Sequence, residues 1–575
     1  LQGTFILDIN GEESTHRIGD RDEDIPFIRK SNDTEKEGAK EREQTKEVLF
    51  SKNFHRIKEE VKRGNISKAA KALHSYGVAD ATPLVAEVLR DMHPNGSGED
   101  ISLPETGKTV ELGYEECYKD VLKQAKKDDK AMDVYGWKAN YLEPVMGSKK
   151  VISTVARMMQ LFARDNLPRA VTFMLSAGKL VALNKQEEKV NAELIRQGEK
   201  PKVRPINVPQ QLVGRTLSKA VTGKSGKAAE KKLRPTQYSG KKNGGVKKVM
   251  AIQAEYKKGN IIEQSDAANA YNDAKRSSLL GALTEIWPEG RGLLDNYYVK
   301  KSPCFYRTWD KDRGCILSVI WSKEGGKMGC PLGKIAYEAG QEKFILSKLV
   351  EEYPETKFWA VVDDVDSAWE VEENISKEEA IELIRKIKAY RKRKKELYAT
   401  LNLRLVVEKG NILLPVNFPL EPDHPEMEGL NATKEGVKAN GIPIGRKSYV
   451  ENFLEEKFEV IANYVGKVAT LGNTDPQMAT RILSESCNKG FDYIAKAIDP
   501  KVMNQEVGMA FDALVQEVQT SILRVNDDLP VLSHWGLLEV TQHIFEMPVR
   551  DGGFGLTPIT VKAPASYMAT IEMMR

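Results

Sequence analysis

The feature that most constrains this chain is the stretch KFWAVVDDVDSAWE, residues 357–370. An apolar run, Phe358 to Val362, ends on two adjacent aspartates, Asp363 and Asp364, with Asp366 close behind. Trp359, Val361 and Val362 favour an extended strand. A strand that delivers Asp363–Asp364 through a tight turn would hold both carboxylates rigidly at a sheet edge. Hard divalent cations take carboxylate oxygens, and Mg²⁺ is held by one or two carboxylates together with substrate phosphates. Aspartate is also common in turns, so a polar hairpin is the plainer alternative. A D-D-x-x-D site would need a helix, and the β-branched approach argues against one.

A partner for this stretch lies about a hundred residues earlier. NIIEQSDAANAYNDAKRSSLL places a short apolar strand before Asp266, then a helix start, with Tyr271 five residues after Asp266. Taken by itself, Asp266 reads as a helix N-cap. Taken with Asp363, it could supply the bridge in a site where two metals clamp the attacking and leaving oxygens of a nucleotidyl transfer. Between the two, SKEGGKMGCPLGKIAYEAG offers Gly325, Gly326 and Gly329 for close backbone approach, then Pro331 and a helix. A Gly/Pro loop with no further role is the alternative. Upstream, LVALNK and EKPKVRPINV carry Lys185, Lys202 and Arg204, which could meet a triphosphate or form a solvated basic loop. AVTGKSG is not a P-loop, because Ser218 stands where the first glycine would be needed.

Length and composition bound the rest. A chain of 575 residues, 41% hydrophobic, is too long for one core. The formal net charge of +4 neither requires nor excludes a nucleic-acid partner, since distribution matters more than the sum. Five scattered cysteines without a C-x-x-C pair argue against zinc ribbons and disulfide frameworks, and suit a reducing compartment. No apolar run is long enough to cross a bilayer, and LQGTFILDIN shows no secretory signal, so an intracellular location (cytoplasm, nucleus or both) is expected, with no membrane partner. The seven histidines are too dispersed for a metal site, and RKRKKE at 391–396 suits a solvated helix face as well as a nucleic-acid contact.

Read in order, LVALNK, VRPINV, SDAANAYN, SKEGGKMGCPLG, VVDDVD, LRLVVEKGNILLP and GIPIG follow the motif order of reverse transcriptases. The chain resembles the polymerase region of non-LTR (LINE-type) retrotransposons over about residues 50–575. The upstream GNISKAAKALHSYGVADATPLVAEVLRDMHP and the downstream GIPIGRKSYVENFLEEK and MPVRDGGFGLTPITVKAPASYMAT are similar to flanking segments of those elements.

The resemblance implies an α+β fold of the right-hand polymerase type. Residues 1–48 would be a charged flexible arm and 49–150 a helical N-terminal extension. Residues 151–260 would form the fingers, 261–447 the palm, with an antiparallel sheet and finger/palm insertions, and 448–575 a helical thumb and C-terminal region. It implies RNA-templated addition of dNTPs to a DNA or RNA primer 3′-hydroxyl, with two Mg²⁺ ions, Mn²⁺ being a substitute. Asp266 and Asp363 match the metal-binding aspartates, with Asp364 as the adjacent third carboxylate and Ala267 contributing its carbonyl. Tyr271 matches the aromatic gate against a ribose 2′-hydroxyl. Lys185 and Arg204 match triphosphate-binding finger residues, Met328 and Gly329 the template–nucleotide loop, and Lys409 the lysine that follows the palm strand. Gly441–Gly445 falls at the primer grip.

The chain departs from the family pattern at two positions. Val361 stands where the family has an aromatic residue, and Met328 where it has glutamine. No endonuclease, zinc knuckle or RNase H set is recognisable, so the chain reads as a polymerase piece of a larger protein or a stand-alone relative, and other domains or protein partners fit either case. An RNA-dependent RNA polymerase, or a silent RNA-binding or structural relative, are the competing readings.

Overall fold

The computed structural model describes residues 24–26 and 54–574, leaving aside 55, 97–100, 107, 109, 111, 127–130, 146, 165–166, 223–225, 234, 311–313, 407–409, 504 and 524–536. Of the arm expected at 1–48, only a short strand, β1 (Asp24–Pro26), lies among the described residues. The architecture is a mixture of helices and mainly antiparallel sheets.

Helices α1 (Ile66–His74), α2 (Pro83–Asp91), α3 (Tyr114–Ala125) and α4 (Lys149–Ala163) come first. α2 starts where the sequence says it must: the Thr82 hydroxyl accepts from the Val85 amide, and Pro83 occupies the first turn. Strands β2 (Gly178–Asn184) and β3 (Val203–Pro209) follow, and pair antiparallel through seven residues. They join β6 (Ser302–Asp310) and β7 (Gly314–Ser322) in a five-stranded sheet ordered β1-β7-β6-β2-β3. One face is closed by α2, with Leu180, Ala182, Val203, Cys304, Tyr306 and Ile320 buried against Val85 and Leu89.

The central sheet is built from β4 (Ile261–Ser265), β8 (Lys357–Val361), β9 (Asp364–Trp369), β11 (Asn411–Leu413) and β12 (Asn431–Thr433), in the order β12-β11-β4-β9-β8. Two short ribbons flank it: β5 (Ala267–Ala268) with β10 (Arg404–Leu405), and the hairpin β13 (Gly436–Ala439)–β14 (Ile442–Gly445). Asn440 and Gly441, both at positive φ, make the two-residue turn of that hairpin, the residue pair such a turn prefers.

Side-chain alternation splits the central sheet into two buried faces. Ile262, Trp359, Ala368 and Leu413 pack with α5 (Gly244–Lys257) and with the later helices α9 (Lys447–Gly472), α10 (Pro476–Glu485) and α11 (Glu506–Leu523). Ile261, Phe358, Trp369 and Ile412 pack with α6 (Arg276–Ile286), α7 (Pro331–Gln341) and α8 (Lys377–Thr400). The basic run RKRKKE at 391–396 lies on α8. The start of α8 is fixed by a capping box in which Ser376 and Glu379 satisfy each other's amides. On α9, Leu454, Ile461 and Val465 are buried.

Each face also buries an ionic pair. On the α5 side, Lys248 Nζ lies 2.6 Å from Asp366 Oδ2. On the α8 side, Lys394 Nζ lies 2.9 Å from Glu263 Oε2, and Ser265, Ser367 and Tyr390 also donate to that carboxylate. Among the described residues no helix is long and apolar enough to cross a membrane.

Candidate functional site

The acidic stretch forms the hairpin its sequence suggests. Val361 pairs with Asp364, which leaves Val362 and Asp363 as a two-residue turn between β8 and β9. Val362 takes φ 58°, a left-handed conformation that a β-branched side chain adopts only when its surroundings impose it. Asp363 therefore leaves the sheet at its very end, and Asp364 opens β9.

β4 runs antiparallel to β9, with Ser265 opposite Val365. The next step of that register sets Asp266 beside Asp364, so the two stretches read separately in the sequence meet on neighbouring strands. The charges agree with this placement. Asp364 keeps access to solvent, but desolvation by the surrounding protein comes first among the influences on it. Lys248 opposes this, the negative charges of Asp363, Asp366 and Asp266 add to it, and together they push the carboxyl up to about 6.

A helix does not begin directly after Asp266, as the sequence suggested. The two-residue strand β5 intervenes and pairs with β10, after which a single helical turn, Ala270–Asp273, begins. Val406 donates to the Asp266 carbonyl at 2.9 Å. In this register Ala267 and Leu405 form a pair that exchanges no hydrogen bonds, so the Ala267 carbonyl is directed away from β10.

Tyr271 stacks on the buried ring of Tyr337, with centroids 5.5 Å apart and planes 14° from parallel. Burial first, then the charges of Glu338 and Asp363, raise its phenol well above the usual range. The Tyr337 phenol is raised as well, by burial and then by neighbours that include Asp363, Tyr271 and Asp266.

The Gly-rich segment ties this corner to the first sheet. Gly325 (φ 61°) leaves only 2.1 Å between a would-be Cβ and the Tyr271 carbonyl, and the Gly326 amide donates to that same carbonyl at 2.6 Å. Gly329 (φ 107°) brings its Cα against β3, where a Cβ would stand 2.6 Å from the Asn207 carbonyl, and the Asn207 amide donates to Met328 O at 2.9 Å. Buried Arg276 holds the first half of the loop through the carbonyls of Ser322, Glu324 and Gly325. Lys327 is fully buried, donates to Ser176 O at 2.7 Å, and has its pKa pushed down to about 8, chiefly by burial.

Lys185 and Arg204 are exposed at the end of the β2–β3 pair where the 185–202 connection joins the two strands; there Arg204 pairs with Leu183 and the Lys185 amide donates to Lys202 O. They sit on a different sheet from the carboxylates. Arg204 is three residues, about 10 Å of extended strand, from the Asn207 that holds the Met328–Gly329 loop. Lys409 lies outside the described residues.

Two residues that the sequence did not single out touch the acidic hairpin. Asn440, at the tip of β13–β14, donates from Nδ2 to Asp364 Oδ2 at 3.3 Å, and its own carbonyl accepts from Tyr493 OH at 3.1 Å. This brings the Gly441–Gly445 segment to the site. Lys248 donates to the Asp364 carbonyl at 2.8 Å. An Asn-Gly pair between two short apolar runs was a legible turn signal for Asn440, whereas its contact with Asp364 was not.

Asp364 and the neighbouring carboxylates whose charges raise it suit a hard cation by donor chemistry. One expectation is narrowed. Among the described residues, no three acidic, histidine or cysteine side chains gather around a common point that could hold a metal ion. A Mg²⁺ ion here would therefore need the Ala267 carbonyl, water or substrate phosphates to complete its shell.

No protein-family model matches this chain, and no curated protein matches its sequence. Among solved structures, the chain is similar to telomerases. Apo telomerase from Candida tropicalis aligns at 10% identity and a TM-score of 0.35, over 68% of this chain and 70% of that one. Candida albicans telomerase in complex with a fragment of telomeric RNA aligns at 10% identity and 0.29, over 77% and 70%. A Candida tropicalis telomerase truncated from its C-terminal domain aligns at 14% identity and 0.30, over 54% and 59%.

Proposed function

We propose that this chain is an RNA-templated DNA polymerase that extends a primer 3′-hydroxyl with dNTPs. The reading rests on one observation above all: the β4–β9 ladder ends with Ser265 opposite Val365, one step before Asp266 and Asp364, with Asp363 in the adjoining turn. Bound Mg²⁺ would lower the pKa of the attacking hydroxyl and steady the triphosphate. Asp266, Asp363, Asp364 and the Ala267 carbonyl are the candidate groups, no more than two of the carboxylates on one ion, with water or substrate phosphates completing its shell.

The other residues have positioning work. Tyr271, braced on Tyr337, would close the space a ribose 2′-hydroxyl needs. Met328 and Gly329, seated on β3, would lie under the templating base pair. Arg204 and Lys185 would meet the triphosphate, Arg204 with a two-pronged donor. In this reading the central sheet is the palm, the first sheet belongs to the fingers, and the helices after Lys447 are the thumb. Binding of template and primer through their backbones should weaken steeply with salt.

The test is primer extension on a defined RNA template with Mg²⁺. Wild-type protein is expected to extend with dNTPs and to discriminate against rNTPs. Asp363→Asn should lose activity by 10³-fold or more, on the order of the loss when a catalytic group that acts as part of a unit is removed, while keeping its circular dichroism spectrum. Tyr271→Ala should admit rNTPs. Equal use of rNTPs by the wild type would point to an RNA polymerase instead. A second reading, a silent RNA-binding relative, is favoured by the open carboxylate set and by the bond Asp364 makes to Asn440; it requires RNA binding with no extension in any variant.

A further inference from the structure

Lys248 is a lysine with no route to solvent. It sits on α5, its side chain 1% exposed, and its ammonium is shared between two acceptors on β9: the Asp364 main-chain carbonyl at 2.8 Å and the Asp366 carboxylate at 2.6 Å. Asp366 is itself 4% exposed and sits opposite Gln264 on β4. A buried ion pair of this kind rarely adds stability over an apolar pair of the same shape. The Glu263–Lys394 pair on the other face is surrounded by three hydroxyl donors and touches no main-chain atom of the acidic hairpin. The Lys248 pair differs in that one of its hydrogen bonds ends on the residue that opens β9.

We infer that Lys248 is a positioning residue: by hydrogen-bonding the Asp364 carbonyl from beneath, with Asp366 neutralising it, it fixes where the Asp364 carboxylate stands relative to Asp266 and so sets the site's hold on divalent cations. The inference rests on the polymerase reading for its substrate, but not for its geometry. Val362 leaves the hairpin turn in an uncomfortable conformation, and the turn contains no glycine to absorb a shift. Lys248 supplies a fixed point directly behind it. Asn440 holds the carboxylate itself at 3.3 Å, so main chain and side chain of Asp364 are anchored from two different elements.

The test is the double variant Lys248→Met/Asp366→Leu, which replaces the pair with apolar groups of similar size. Two quantities are read: Mn²⁺ affinity by electron paramagnetic resonance without nucleotide, and the Mg²⁺ concentration giving half-maximal primer extension. The variant is expected to melt near the wild type or above it, yet to bind Mn²⁺ about tenfold more weakly and to need about tenfold more Mg²⁺, the usual scale for losing a partner behind a metal-ligating group. A folded variant with wild-type metal dependence overturns the inference.

Should the double variant not fold, Asp366→Asn decides. It keeps the ammonium on the carbonyl, so its Mn²⁺ affinity should stay within about threefold of wild type, and a tenfold loss there would assign the effect to the missing charge instead. Wild-type protein that neither binds Mn²⁺ nor extends a primer removes the polymerase reading itself. Wild-type activity with an unaffected double variant removes only the role given to Lys248.

Discussion

At the scale of single residues, Asp364 carries a conflict that can be measured. Its carboxyl titrates near 3.8 in an unfolded chain and near 6 in the fold. The fold therefore prefers the protonated form: the stability this group contributes is fully present below about 3.8 and is lost as pH rises through about 6. Above that range the carboxylate weakens the metal-free protein. Asp364→Asn in Mg²⁺-free buffer is expected to raise the melting free energy at pH 7.5 by about 1 kcal/mol, a modest figure because the group is partly solvated, and the gain should fade toward pH 4. A gain of equal size at both pH values would show that ionisation of the Asp364 carboxyl is not its cause.

The same residues show what was legible in the sequence. Asp363 and Asp364 at a strand tip, and Asp266 at the end of another, could be read from β-branched approach runs and turn chemistry. Lys248 could not. It lies between buried Gly244 and buried Ile252, four residues away on either side, and one lysine in GGVKKVMAIQ does not announce which side it takes. Asp366 carried a faint signal, since alternation along DDVDSAW turns it inward with Ala368. Its partner comes from a helix more than a hundred residues earlier, and pairing at that distance is a tertiary fact.

At the scale of elements, the loop from Ser322 to Pro331 joins the two sheets. Its Gly325 is required for two reasons, which comparison with a glycine elsewhere in the chain separates. Gly325 is at positive φ and also pressed against the Tyr271 carbonyl, whereas Gly64, at φ 73°, has no other atom within 4 Å of a would-be Cβ. Gly64→Ala should cost about 1 kcal/mol, the strain of a left-handed residue alone. Gly325→Ala should cost about 3 kcal/mol or more, because strain and a backbone collision add. Urea denaturation of the two variants measures this, and equal losses would mean that the loop does not sit against Tyr271. The sequence showed the glycines and the helix starting at Pro331. It did not show that Arg276, read only as part of a helix start, supplies the donors that hold the loop's carbonyls.

At the scale of the whole molecule, the central sheet is shared between two hydrophobic clusters, since Ile261 belongs to one and its neighbour Ile262 to the other. The two halves should therefore lose structure together. Leu283→Ala in one cluster and Leu471→Ala in the other, both fully buried, should each cost about 2–5 kcal/mol. Each should also accelerate hydrogen exchange at the β4 amides, seen by mass spectrometry. If either variant leaves β4 exchange untouched, the clusters unfold independently. The strands that end on Asp266 and on Asp363 were readable from their short apolar runs. The membership of β6 and β7 in the first sheet was not, because it depends on a parallel pairing of β2 with β6 across more than a hundred residues.

The turn at Val362 has a last consequence. A valine held in a conformation it disfavours is a spring kept compressed by the strands on either side. Warming loosens strand ends before it loosens cores, so the spring should release while the rest of the molecule keeps its shape. The acids at the tip would then drift apart in a protein still folded by every global measure, so whatever the carboxylates hold would be lost on warming before the molecule melted.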